Sequence, residues 1–142
     1  MKKYVFIICL LLLGVGLADA KKEQKAEMTL VSKGDSCMNE HDNLHALFYY
    51  KKHLADHPLD IDTRRKVASC YRLRGDNKKC VACLDSIPKD SLNHEDLRMY
   101  YYSYLNMGKK NELELYGMMI FRKYTLDSDV LASLLSHWNN IG

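Results

Sequence analysis

The sequence predicts an all-α fold built from repeated helix pairs, and three observations carry that prediction. Apolar residues recur at helical spacing along most of the chain, as in Leu97, Tyr100, Tyr101 and Tyr104. No stretch alternates apolar and polar residues for a useful strand length, and the two prolines, Pro58 and Pro88, fall where helices should stop. Gly75, Gly108 and Gly142 are evenly spaced, each with an aromatic residue four positions earlier: Tyr71, Tyr104 and Trp138. A helix–turn–helix unit recurring at that period, about 34 residues, marks an α-α superhelix, in which each unit completes its core against its neighbours.

The chain opens on an expected leader over residues 1–20. Lys2 and Lys3 supply a positive start, Tyr4 to Leu17 is apolar, and Ala18-Asp19-Ala20 offers small residues for cleavage. The apolar run is shorter than the ~20 residues a bilayer span needs, so cleavage is favoured over a retained anchor. Cys9 sits inside that run behind the bulky Ile8, which disfavours lipidation. Cleavage after Ala20 removes two of 21 basic residues and one of 18 acidic ones, leaving a net charge of +2 on one domain, 21–142. So small an excess, with no dominant Lys/Arg block, excludes nucleic acid as the expected partner. No later stretch is apolar enough to span a membrane. The Lys-Lys start and Ala-x-Ala site match a bacterial signal, a eukaryotic one staying open, and imply an exported protein, periplasmic or extracellular.

Taken in order, residues 21–27 are highly charged and precede a first helix over about 27–39, with Met28, Leu30, Val31, Cys37 and Met38 as its apolar positions. His41-Asp42-Asn43 makes a turn, and Leu44 to Asp56 forms a strongly patterned helix that ends before Pro58. Asp60 or Asp62 caps a helix from about Ile61 to Arg74, terminated by Gly75. Lys78 to Ile87 is shorter and is stopped by Pro88. Asn93 caps the next helix, Gly108 turns the chain, and an apolar-periodic run continues to Tyr124. Asp129 to Asn140 closes the chain with Leu131, Leu134, Leu135 and Trp138. The repeating units are therefore about 27–60, 61–93, 94–127 and a half unit, 128–142.

These residues resemble the tetratricopeptide repeat, a helix pair of about 34 residues. Leu30, Gly34, Ala46, Tyr50 and Pro58 match its large, small, aromatic and proline positions in the first unit. Val67, Ala68, Tyr71 and Gly75-Asp76 match in the second, and Leu97, Tyr100, Tyr104 and Gly108 in the third. Leu131, Leu134, Leu135, Trp138 and Gly142 match the first half of a fourth. The departures are Cys37 for an aromatic, Tyr101 for a small residue, Cys80 and Leu113 for alanine, Gly117 for a large residue, and a second-unit last helix about a turn short. The resemblance implies three helix pairs plus a terminal helix, no catalytic residue, no metal and no cofactor. It also implies a concave groove for a protein or peptide partner, which carried over position by position presents Asp35, Arg65, Ser69, Arg72, Arg98, Tyr102 and Asn106. Three arginines beside a tyrosine suit a carboxylate or an acidic peptide; a merely solvated face is the alternative. Val31 and Asp35 stand where chaperone-binding members carry the Lys and Asn of a carboxylate clamp, so that partner is not expected.

Two further features bear on chemistry. Cys80-Val-Ala-Cys83 is the one enzyme-like motif, and a thiol-based redox or metal-handling role through Cys80 and Cys83 is the competing function class. It lacks the βαβ context of thioredoxin-like sites, and the six histidines show no finger-like spacing. Export instead favours a structural bond, Cys70–Cys80 or Cys70–Cys83, since Cys70 and Cys80 lie symmetrically on either side of Gly75; unbonded small core residues are the alternative. Tyr100, Tyr101 and Tyr104 read as core, and Arg74-Gly75-Asp76 is an RGD tripeptide only by letter. Leu131, Leu134, Leu135 and Trp138 are apolar for an end cap. They suggest an open terminal interface covered by further repeats or by self-association.

Overall fold

A computed structural model describes residues 30–124 and 127–139; the expected leader, the charged stretch 21–27 and Gly142 lie outside the described residues. Among the described residues seven helices follow one another: α1 (30–39), α2 (Asn43–Asp56), α3 (Ile61–Leu73), α4 (Asn77–Asp85), α5 (His94–Asn106), α6 (Lys110–Lys123) and α7 (Ser128–Asn139). One 3-10 turn, Lys89–Ser91, links α4 to α5, and no strand occurs among the described residues. The fold is all-α, with helices packed in consecutive pairs. No helix among the described residues is long and apolar enough to cross a membrane.

Local chemistry sets these boundaries. The side chains of Asp42, Asp60, Asp76 and Asn93 each accept a hydrogen bond from the backbone N–H three residues on, the orphan donor at a helix start. Asp60 rather than Asp62 takes the cap of α3. Asn93 and Asp96 form a reciprocal capping box on α5. Asp127 does the same work for α7, accepting from the Val130 N–H at 3.2 Å.

The turns within each pair repeat as well. Gly75 (φ 76°) and Gly108 (φ 66°) are left-handed, and in each case the following N–H reaches back to the end of the preceding helix, Asp76 to the Tyr71 carbonyl and Lys109 to the Tyr104 carbonyl. His41 (φ 61°) holds the same conformation in the first pair, with Asp42 N–H bonded to the Cys37 carbonyl at 2.8 Å. The turn series is thus 41, 75 and 108; sequence placed a turn at the first member but not its left-handed backbone, because the residue is not glycine. His41→Gly is expected to raise stability by about 0.5–1 kcal/mol, since the left-handed cost of a Cβ is removed from an exposed position. A shift of the urea midpoint to higher concentration checks this.

Core clusters lie at the boundaries between units. Ala46, Tyr50, Val67 and Cys70 join α2 to α3; Ala68, Cys80, Leu84, Ile87, Met99 and Tyr100 join the second pair to α5. Leu97, Tyr101, Leu113, Ile120, Val130 and Leu134 join the third pair to α7. Tyr100 and Tyr101 are buried and Tyr104 half-buried, and Tyr100, Tyr104 and Tyr116 stack on one another, so the tyrosine cluster is core. Tyr101 also explains Gly117. A Cβ at 117 would lie 3.1 Å from the Tyr101 ring and 3.1 Å from the Leu134 side chain.

The structure corrects two expectations. None of the four described cysteines is bonded. Cys70 lies in the first cluster with its Sγ 3.5 Å from Met38 Sδ, whereas Cys80 lies in the second. Symmetry about Gly75 brings their helices together but points the two thiols to opposite neighbours, and Cys83, half-buried against both clusters, bonds neither. The second correction concerns α7. Leu134 is buried beside Val130 in the third cluster and is not part of an open interface; Leu131 is half-buried, and Leu135 and Trp138 remain exposed.

Candidate functional site

The first helices of the units, α1, α3, α5 and α7, carry the residues assigned to a groove, and polar side chains connect each to the next. Lys66 on α3 donates to Asp35 on α1 at 2.7 Å, and the Tyr50 hydroxyl donates to the same carboxylate at 2.6 Å. Arg65 on α3 donates through Nε to Asp96 on α5 at 2.9 and 3.1 Å, through Nη2 to the Ser91 carbonyl at 2.6 Å and through Nη1 to Asp62 at 2.8 Å. Arg98 on α5 donates to Asp127 at the start of α7 at 2.7 Å; His94 Nε2 lies 2.7 Å from the other oxygen of that carboxylate. The Lys66–Asp35, Arg65–Asp96 and Arg98–Asp127 pairs form a ladder that joins α1 to α3, α3 to α5 and α5 to the start of α7.

The ladder changes the meaning of the arginines. Arg65 and Arg98 are spent on internal carboxylates, and the Arg98 guanidinium also lies 5.5 Å over the Tyr102 ring. Asp35, read as a groove acceptor, is likewise taken by Lys66 and Tyr50. Arg72 is different. Among the described residues the lysines and arginines in ion pairs are Arg65, Lys66, Lys79 and Arg98, so Arg72 is in none. Arg72 and Ser69 line a shallow depression of about 280 Å³ between α3 and α5, with Met99, Lys66 and Glu95 also in its wall. Half-buried Tyr102 and exposed Asn106 continue along α5. Arg65 and Arg98 therefore hold neighbouring helices together, whereas Arg72 belongs to no ion pair among the described residues.

Burial raises the Asp127 carboxyl, but hydrogen bonds from Arg98, Val130 N–H and His94 outweigh it and hold the group below its ordinary 3.8. Asp35 is similarly lowered against its burial, by Lys66 and Tyr50, and Asp60 by Thr63 and His53. A carboxyl depressed in the folded chain contributes stability above its unfolded value and loses that contribution as pH falls through the folded one. Stability is therefore expected to hold near neutrality and to drop below about pH 4 as these groups protonate. Urea unfolding followed between neutral and strongly acidic pH checks the sign: Asp127→Asn should flatten the acid limb.

The Cys80-Val-Ala-Cys83 motif has the opposite electrostatics. Burial pushes both thiols up; it also pushes Cys70 up, to about 11. A reactive cysteine needs a lowered value and access; neither thiol has the first, and Cys80 also lacks the second. Among the described residues no group of three or more His, Cys, Asp or Glu is placed to hold a metal ion.

Sequence reasoning missed Lys66, His94, Asp96 and Asp127. One signal marks two of the rungs: Asp60, Asn93 and Asp127 recur at the spacing of the repeat itself, and each cation of a rung, Arg65 or Arg98, stands just short of one repeat before the carboxylate it meets. The chain matches no protein-family model, and no curated protein matches it.

Proposed function

We propose that this chain is a non-enzymatic interaction or scaffolding module of tetratricopeptide type, exported to the cell envelope or beyond, that binds an extended partner segment across α3 and α5. The observation that favours this reading most is Arg72, a half-buried guanidinium without an acidic partner among the described residues, set with Ser69 in the 280 Å³ depression. Tyr102 and Asn106 prolong that polar line along α5. A guanidinium presents a planar fork suited to a carboxylate, so the segment is acidic.

An acidic peptide library screened by fluorescence anisotropy tests the reading. Arg72→Ala should weaken the best binders about tenfold, or ~1.4 kcal/mol, with an unchanged helical spectrum. Equal binding by the variant would overturn it.

A further inference from the structure

A second cavity lies away from the α3–α5 face, and its origin is legible in the helix lengths. The second helices of the first and third pairs, α2 and α6, have 14 residues each, whereas α4 has nine. The missing stretch amounts to about 7.5 Å of helix. With the second and third units aligned on their turn glycines, it would have stood beside Met119 to Lys123 of α6. In its place the chain runs through Pro88 and the 3-10 turn, leaving a notch of about 410 Å³ between the end of α4, α5 and α6.

Leu92, Leu97, Tyr100 and Tyr116 form the apolar interior of the notch, and Leu115 and Met119 line it while remaining 58% and 40% exposed. Lys89, Arg122 and Lys123, all exposed, surround it, and none has an ion-pair partner among the described residues. Lys123 Nζ lies 5.4 Å from the Tyr124 ring centroid, a contact that leaves its charge unneutralised. The one acid lining the notch, Asp85, accepts a 2.8 Å hydrogen bond from the Tyr100 hydroxyl. Three cations therefore face one carboxylate around an apolar recess.

We propose that this notch binds a monomeric anionic amphiphile, a single alkyl or acyl chain ending in a carboxylate, with the tail over Leu115 and Met119 and the head among Lys89, Arg122 and Lys123. The volume is in the range of small-molecule pockets, ~300–1,000 Å³. Burying the tail removes apolar surface from water, and the cations select the sign of the head. A neutral or cationic head of the same tail length would gain only the first of these contributions.

The test is a titration of the full chain, labelled at its methionine methyl groups, with laurate kept below micelle formation. The Met119 methyl resonance reads the notch and separates it from binding elsewhere. Laurate is expected to shift that resonance saturably, at one molecule per chain, and dodecyltrimethylammonium to bind at least tenfold more weakly. Lys89→Glu/Arg122→Glu/Lys123→Glu, three exposed changes with a helical spectrum as control for folding, should reverse that preference. No saturable Met119 shift, equal binding of the two amphiphiles, or an unaltered preference in the triple variant would each overturn the proposal. So would a Met119 response to phosphatidylglycerol vesicles, or to an acidic peptide, without one to monomeric laurate.

Discussion

Gly117→Leu is expected to destabilise the chain by about 2–3 kcal/mol, at the upper end of what overpacking a close-packed core costs. The ring of Tyr101 and the side chain of Leu134 already stand 3.1 Å from where a Cβ would be, and both residues are almost fully buried. Neither can withdraw cheaply. Tyr101 also donates its hydroxyl to Ser133 on α7 at 2.9 Å, and Leu134 packs α7 against the third pair. Tyr101→Ala alone should cost about 3–5 kcal/mol through the cavity it opens. The double variant decides whether the two positions form one packing unit. A leucine at 117 would enter the space vacated by the ring, so the combined loss should fall short of the sum by more than ~1 kcal/mol. Additive losses in urea unfolding would mean that the large residue at 101 and the small one at 117 are unrelated departures from the repeat pattern.

Arg65→Ala should lower stability by about 3 kcal/mol or more, while Lys66→Ala should cost under ~1 kcal/mol, although both remove a rung of the same ladder. Burial separates them. Asp96 has a side-chain exposure of 0% and Arg65 one of 22%, against 45% and 37% for Asp35 and Lys66. Without Arg65 the Asp96 carboxylate stays away from water, with the backbone N–H of Asn93 as the donor left to it in the capping box. Water resolvates Asp35 when Lys66 is lost, and the Tyr50 hydroxyl remains bonded to it. Chemical denaturation of the two single variants, compared at one pH and ionic strength, measures the difference; equal losses would contradict a buried structural role for Arg65. Such a role also predicts that Arg65→Ala weakens binding of the proposed acidic segment only through the fold.

These two results bear on how a repeat pattern tolerates exceptions. Tyr101 and Gly117 each violate the tetratricopeptide-like pattern, and sequence comparison within one chain shows them as independent blemishes. In space they answer one another across α5 and α6. The short α4 is likewise an irregularity in sequence and a cavity in the fold, because neighbouring second helices no longer cover the same length of α6. A turn deleted from one helix exposes the flank of the corresponding helix in the next unit.

The sequence by itself determined the helices, the caps at Asn93 and at Asp60 or Asp62, and the glycine turns at 75 and 108. Those features depend on near neighbours along the chain: an Asp or Asn that bonds the N–H three residues on, a glycine free to adopt a positive φ, a proline without an N–H. At His41 the sequence placed a turn but not its left-handed backbone, which the adjoining helices impose on a residue that does not advertise it. Only the tertiary structure decided which charges are spent. Arg65, Arg72 and Arg98 share one face and one residue type, yet Arg65 meets a carboxylate of α5 and Arg98 one at the start of α7, and Arg72 is in no ion pair among the described residues. The cysteines show the same limit, since symmetry about Gly75 fixed the helices of Cys70 and Cys80 but not the neighbour each thiol faces. Helical periodicity places a side chain on a stripe; the packing of the next unit decides what that stripe meets.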